Sequence, residues 1–234
     1  MIRQLLRRRR RWILIDINTQ KDFFLPGGKT AITNHRRVLS HIRRVMAWAR
    51  RRNIPVISTC EVYPANNGST FPNYCVDGTE GQKKIHYTIL NNRASLPADG
   101  STDVPGDILQ QHRQIILHKR CVDPFEEPRI ERLLSEVRAN EFILIGACAE
   151  TAVKATALGL LQRGKKVCVV VDAVGSLNKK EAELAFRKMK AKGARLIETK
   201  KIAGTSHLKH IGICDCDMCR KKAEKTSAKI GAGC

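Results

Sequence analysis

The sequence predicts a three-layer α/β/α fold, Rossmann-like in architecture, with a central parallel sheet of about six strands. Three observations support this fold class. Short apolar runs with the length of buried strands recur along the chain. Segments of helical or loop character separate these runs, as the crossovers between parallel strands require. Hydrophobic residues make up 42% of the 234 residues, which is enough for a buried core.

The predicted elements alternate between strand and helix. The helix at residues 34–52 places Val38, Ile42 and Val45 on one stripe, with arginines on the opposite side. Further helices are predicted at 128–139, 150–163 and 178–192. The strands are rich in Val, Ile and Leu, as fully covered parallel strands are, and they are predicted at residues 12–16, 55–60, 114–119, 142–147 and 166–172, with a weaker sixth at 194–198.

Residues 61–113 interrupt this alternation. The segment is rich in Pro, Asn, Gly, Ser and Asp and has little periodicity. A loop region of this length inside a domain usually carries function or covers a site. Since open α/β sheets bind ligands at the carboxyl ends of their strands, the functional residues are expected there.

The formal net charge of +21 is concentrated at the two ends of the chain. Residues 1–52 carry 15 Lys and Arg against 2 acidic residues, and residues 179–234 carry 15 against 6. We therefore predict a basic arm (1–11), an α/β domain (12–203) and a basic, Cys-containing tail (204–234). Basic ends favour polyanions. The arginine run at 7–11 is nevertheless interpreted as a charged lead-in to the first strand, because aromatic residues are few and no RNA-binding motif is present.

The nine cysteines predict free or metal-bound thiols rather than disulfides. Their spacing is not that of a small disulfide-rich domain, and the chain begins with no recognisable export signal. We expect a cytoplasmic protein with no membrane partner, because no apolar run reaches 18 residues. In the tail, Cys214, Cys216 and Cys219 are weak candidates for a zinc site, and a reactive tail without metal is the alternative.

Two charged residues and one turn are predicted to carry chemistry. Asp16 ends the first strand, Lys119 ends the third, and the turn at 146–152 follows the fourth. A carboxylate, an ammonium and a helix N-terminus at one sheet edge suit covalent acyl transfer: a base activates a thiol and backbone N–H groups form an oxyanion hole.

These motifs resemble those of the isochorismatase-like cysteine hydrolases, a family that includes the nicotinamidases. The resemblance covers residues 11–203 and rests on the stretches ILIDINTQKDFFLPGG, NYCVDGTEGQ, HKRCVDPF and IGACAETAVKATALGLLQRGKKVCVVVDAVGSL. It implies the fold above and the hydrolysis of a small amide, ester or related substrate. Asp16 and Lys119 match the family's base and lysine, although the spacing from Asp16 to Asp22-Phe23 exceeds the usual Asp-x-Gln-x-Asp-Phe by two residues.

The resemblance fails at the nucleophile. Ala152 occupies the position of the family's catalytic Cys, and Cys148 lies four residues earlier, where the family contributes a backbone N–H to the oxyanion hole. Three readings stay open: an inactive member that binds a small ligand or, through its basic ends, a polyanion; a hydrolase in which Cys148 is the nucleophile; or water activation by Asp16 and Lys119.

The resemblance also bears on the pocket and on metal. Nicotinamidases hold a divalent ion with an Asp-x-His pair and a further His just after the second strand. Here that stretch has no His, Cys60 is aligned with the family Asp, and Tyr74 stands where a His often precedes Cys-Val. We therefore expect no metal in the pocket, no cofactor, and a substrate pocket that includes Phe23 and Cys60. Because family members often form dimers or tetramers, a homo-oligomer is also expected.

Overall fold

The computed structural model describes residues 10–65 and 71–204. A seven-stranded sheet forms its centre, in the order β3-β4-β2-β1-β5-β6-β7, and every pair of neighbouring strands is parallel. The strands are β1 (Arg10–Ile17), β2 (Val56–Glu61), β3 (Arg93–Leu96), β4 (Gln114–Lys119), β5 (Ala139–Gly146), β6 (Val167–Val174) and β7 (Arg195–Ile197).

Helices cover both faces of the sheet, as the sequence predicts. They are α1 (Lys21–Phe24), α2 (His35–Arg51), α3 (Ile108–Gln111), α4 (Pro128–Glu136), α5 (Lys154–Gln162), α6 (Lys179–Ala191) and α7 (Thr199–Ala203). The apolar stripe of α2 packs on one face, and α4, α5 and α6 pack on the other. Alternate residues of each strand supply the two cores; Leu14, for example, belongs to the α2 side, and Ile13 and Ile15 belong to the opposite side.

The predicted fold class is confirmed, with one strand more than expected. The additional strand, β3, lies at the edge of the sheet beside β4 and within the long segment predicted as loop. The division into arm, domain and tail stays a prediction, because residues 1–9 and 205–234 lie outside the described part of the chain. Within residues 10–65 and 71–204, no helix is both long enough and apolar enough to cross a membrane.

Candidate functional site

The carboxyl ends of β1, β2, β4 and β5 meet at one edge of the sheet. Ile17 is in register with Thr59 of β2 and with Gly146 of β5, and Glu61 is in register with Lys119 of β4. The strand ends that carry Asp16, Lys119 and the turn at 146–152 therefore share an edge, which is where parallel α/β sheets bind ligands.

Lys119 forms a buried ion pair with Glu61. Its Nζ lies 2.9 Å from Glu61 Oε1, and both side chains are almost completely inaccessible to solvent. Lys119 Nζ also donates to the carbonyl oxygens of Cys121 and Val122, at 2.7 and 3.1 Å. These three acceptors satisfy the ammonium's donors, so burial of the charge is compensated by contacts within the chain.

Two further side chains bind the Glu61 carboxylate. Asn18 Nδ2 donates to Oε1 at 2.6 Å, and the Tyr63 hydroxyl donates to Oε2 at 3.2 Å. We call Asn18, Glu61, Tyr63 and Lys119 the Glu61 cluster. Burial and the neighbouring Glu61 carboxylate raise the pKa of Tyr63, so its phenol stays protonated and acts as a donor.

Asp16 lies in a separate ion pair. Its Oδ2 accepts from Lys84 Nζ at 2.7 Å and from Ser58 Oγ at 2.9 Å, and Lys84 also donates to Thr19 Oγ1 at 2.7 Å. Among the described residues, Asp16 Oδ1 has no hydrogen-bond partner although it is buried. The structure thus joins Asp16 to Lys84, and Lys119 to Glu61; the role of Asp16 as a base stays a prediction.

The segment after β1 contains Asn18, a member of the Glu61 cluster that the sequence analysis did not identify. Gln20 pairs its side-chain amide with the backbone of Glu61, at 2.7 and 2.8 Å, while the Asp22 carboxylate accepts from the N–H groups of Cys75 and Lys29. Gln20 and Asp22 therefore fix this loop. Counting back from them by the family spacing Asp-x-Gln-x-Asp-Phe reaches Asn18, and this shorter register could have identified Asn18 from the sequence.

Gly146 shapes the turn that follows β5. Its φ of 122° is one that side-chain-bearing residues rarely adopt, and a Cβ here would overlap the carbonyl oxygen of Ile17. The Ala147 N–H donates to that same oxygen at 2.9 Å. After the cis peptide bond between Ala147 and Cys148, a π-helical turn (Ala149–Val153) leads directly into α5.

Cys148 and Ala152 lie at the start of this helical segment. Both are buried, with 2% and 0% of their surface exposed. Burial raises the pKa of the Cys148 thiol well above its ordinary value, and the carboxylates of Glu150 and Glu61 raise it further. A thiol in these surroundings stays protonated at neutral pH, whereas a nucleophilic cysteine requires a stabilised thiolate.

We expect Cys148 to react with a thiol-reactive probe at pH 7 more slowly than Cys121. Cys121 is partly exposed and has its pKa raised to about 11, mainly by burial. Because the thiolate is the reacting species, the rate at either site should rise about tenfold per pH unit below its pKa. Mass spectrometry of peptides after timed labelling measures both rates in one sample. Faster labelling of Cys148 would show a stabilised thiolate and contradict this expectation.

The two residues predicted to line a substrate pocket are both buried. The Phe23 ring packs edge-on against Tyr74, with ring centroids 5.5 Å apart. Burial raises the pKa of Cys60 to about 11, a shift that nearby Lys84 opposes. Their contact with substrate stays a prediction. The tail candidates Cys214, Cys216 and Cys219 lie outside the described residues.

The residues after β2 do not fit a divalent metal ion. The Glu61 carboxylate is bound by the ammonium of Lys119, and the aromatic neighbours are tyrosines whose raised pKa values keep them protonated. Protonated phenols and an ammonium are donors, whereas Zn²⁺ binds imidazole, thiolate or carboxylate ligands. In the described part of the chain, no group of three or more His, Cys, Asp and Glu side chains is arranged to hold a metal ion.

Known proteins are similar to this chain in sequence and in fold. The nicotinamidase of Escherichia coli (strain K12) is 25% identical over 206 residues, covering 78% of this chain and 92% of that protein. A nicotinamidase/pyrazinamidase structure from Bacillus subtilis aligns with a TM-score of 0.65 at 21% identity, covering 80% of this chain and 100% of the other. This similarity establishes a shared fold. A ribonuclease structure from Caenorhabditis elegans aligns with a TM-score of 0.51 at 25% identity, covering 86% of this chain and 84% of that chain.

The family model of the isochorismatase domain matches residues 12–201. This match includes all seven strands except the first two residues of β1, and it contains the Glu61 cluster and the 146–152 turn. The chain therefore belongs to the isochorismatase family, a family of hydrolases, and to its nicotinamidase-related branch.

Proposed function

We propose that the carboxyl edge of the sheet binds a small amide or ester, and that this chain lacks the acyl-cysteine step of its family. One observation carries the proposal. In the register set by Gln20 and Asp22, Asn18 rather than Asp16 stands where the family pattern has its acidic base. Ala152 stands at the position of the family's thiol, while the lysine is kept as Lys119, and the Asp16 carboxylate is bound by Lys84 and Ser58. Alanine has no nucleophile, and a neutral amide cannot take a proton as a carboxylate does.

Two groups at this edge support binding of a carbonyl ligand. Among the described residues, none accepts a hydrogen bond from the Cys148 N–H, which the family resemblance assigns to the oxyanion hole. The buried Asp16 Oδ1 is likewise an open acceptor within the described chain, suited to a ligand N–H or a water molecule. An amide offers both the matching acceptor and the matching donor. The E. coli relative, a nicotinamidase by name, supports an amide ligand.

The thiol at position 148 supports the same conclusion. It is buried, its pKa is raised, and its electrostatic neighbours are the carboxylates Glu150 and Glu61 rather than a base paired with a cation. Displacement by one helical turn from position 152 also moves a side chain by several ångströms, whereas reacting atoms must approach to about 3–3.5 Å. We therefore place Cys148 in the pocket wall and not in a covalent step.

The test restores the two missing groups and measures hydrolysis of a panel of small amides and esters that includes nicotinamide. We expect background rates from the wild type, a low rate from Ala152→Cys, and a rate about a hundredfold higher from Asn18→Asp/Ala152→Cys, because general bases contribute about 10²–10⁴-fold. The matched control is Asn18→Asp/Ala152→Ser, which has the base and nearly the same side-chain volume but no thiol.

The pH profile of the double variant adds a second readout. The carboxyl introduced at position 18 would lie beside Glu61, whose like charge raises the pKa of the new group, and near Lys119, whose ammonium opposes that rise. Since the base acts when ionised, the rate should increase as pH rises through that pKa. Wild-type turnover that Cys148→Ser abolishes would instead identify Cys148 as the nucleophile. A folded but inactive double variant would show that the two substitutions do not account for the missing step.

A further inference from the structure

A basic pocket lies between the C-terminal end of α2 and helix α7. It has a volume of about 470 Å³, and residues 202–204 complete its wall. Its lining contains four cationic side chains and no acidic one: Arg51, Arg52, Lys200 and Lys201, beside Trp48. All four cationic residues are exposed to solvent. We call this site the α2–α7 pocket.

The α2–α7 pocket is distinct from the Glu61 cluster. Arg52 directly follows α2 and precedes the start of β2, so this end of the helix lies towards the amino ends of the strands. Lys200 and Lys201 belong to α7, which follows β7 at the far side of the sheet from β2 and β4. The pocket lining shares no residue with the Glu61 cluster. A ligand in the α2–α7 pocket would therefore leave the Glu61 cluster free.

The cations of the pocket are largely unneutralised. Lys200 pairs with Glu198 at 2.6 Å, and the nearby Asp172 carboxylate is occupied by His41 and by Thr199. Within residues 10–65 and 71–204, no carboxylate lies within ion-pair distance of Arg51, Arg52 or Lys201. Like charges held together at a concave surface repel one another, and a bound anion relieves that repulsion.

The positive surface continues along α2 beyond the pocket. Arg37, Arg44 and Arg51 recur every seven residues, which places them on one side of the helix at intervals of about 10 Å. Arg44 also donates from Nη2 to the carbonyl oxygen of Gly204 at the pocket wall. The sequence contains no Asp or Glu between residues 23 and 60, so no acidic residue of α2 interrupts this row.

Aromatic rings adjoin the cations. The ring centroids of Trp12 and Trp48 are 5.6 Å apart, and the guanidinium carbon of Arg11 lies 4.1 Å from the Trp12 ring centroid. Trp12 is partly exposed and is the ring that can stack with a base, whereas Trp48 lines the pocket but is buried, with 6% of its surface exposed, and packs against Trp12. Cationic grooves with neighbouring aromatic side chains bind single-stranded nucleic acids, since the cations contact phosphates and the rings stack with bases.

We propose that the α2–α7 pocket and the arginine row of α2 bind the sugar-phosphate backbone of a single-stranded nucleic acid. A ligand with one phosphate would be held by the pocket, which Arg44 adjoins through Gly204, and would leave Arg37 without a contact. A chain of phosphates can contact the pocket and the row together. The sequence prediction considered a polyanion contact only through the basic ends of the chain; this proposal assigns it to a folded surface.

The test measures binding of the full chain to fluorescent oligouridine and oligodeoxyuridine of about 12 nucleotides, which differ only in the sugar, by fluorescence anisotropy, from about 50 to about 200 mM salt. The pocket variant is Arg51→Gln/Arg52→Gln/Lys201→Gln. The control variant, Lys179→Gln/Lys180→Gln/Lys190→Gln, removes three charges from exposed positions of α6. Thermal unfolding of both variants verifies that they fold.

We expect the pocket variant to bind at least about tenfold more weakly than the wild type, and its salt slope to fall by about 2, as loss of three phosphate contacts on a single strand predicts. The control should stay within about twofold of the wild type. Pocket-dependent binding of either strand supports the proposal, and a preference between them identifies the sugar. Equal losses in both variants, no binding by the wild type, or pocket-dependent binding of anionic vesicles without binding of either strand would overturn it.

Discussion

Replacing Lys119 by alanine is expected to lower the free energy of unfolding by about 3–5 kcal/mol, because it leaves the Glu61 carboxylate buried without its cation. The loss also frees the carbonyl oxygens of Cys121 and Val122, which accept from the ammonium. Asn18 and Tyr63 would still donate to Glu61, but neutral donors do not compensate a buried negative charge. Urea unfolding monitored by circular dichroism measures the difference.

Two comparisons separate the buried charge from general effects of removing a lysine. Lys200→Ala breaks the exposed pair with Glu198 and is expected to have a far smaller effect, since exposed ion pairs are screened by solvent. Lys119→Met/Glu61→Gln removes both buried charges and should be more stable than Lys119→Ala alone. If Lys119→Ala costs no more than Lys200→Ala, water must reach the Glu61 carboxylate, and the cluster would not be a desolvated site.

Most of the fold was predictable because parallel strands leave a strong sequence signal. Strands covered on both faces are continuous apolar runs, and the six predicted runs correspond to six of the seven observed strands. The missed strand, β3 (Arg93–Leu96), alternates exposed and half-buried residues at the edge of the sheet and so has no apolar run. Its pairing with β4 depends on a partner more than 20 residues away, which local patterns do not reveal.

The site was only partly predictable, because its ion pairs join distant segments. Parallel topology brings the carboxyl ends of the strands to one edge of the sheet. The sequence therefore predicted that Lys119 and the 146–152 turn lie at the same edge. The partners of these charged groups could not be predicted from the strand order. Lys84, which binds Asp16, belongs to the long loop segment, and Glu61 is 58 residues from Lys119 in the sequence. The position of Asn18 was obscured because Asp16 is the acidic residue nearest the end of the strand.

Replacing Gly146 by alanine is expected to destabilise the domain by more than about 3 kcal/mol, through overlap and backbone strain together, and to disrupt the turn at 146–152. The new Cβ would overlap the carbonyl oxygen of Ile17, an atom of the β1 backbone that also accepts from the Ala147 N–H. Neither strand can retreat, because β1 and β5 are hydrogen-bonded in register along most of their length. The φ of 122° adds backbone strain to the overlap.

Gly164→Ala is the matched control for this prediction. Gly164 also has a positive φ, 68°, but a Cβ there would meet no atom within 4 Å. It should therefore show only the strain of a left-handed conformation, about 1–2 kcal/mol. The difference between the two free energies of unfolding isolates the contact with Ile17. If Gly146→Ala lowered the free energy of unfolding no more than Gly164→Ala does, Gly146 could not lie against the Ile17 carbonyl oxygen. The position of Cys148 beside the carboxyl end of β1 would then also be contradicted.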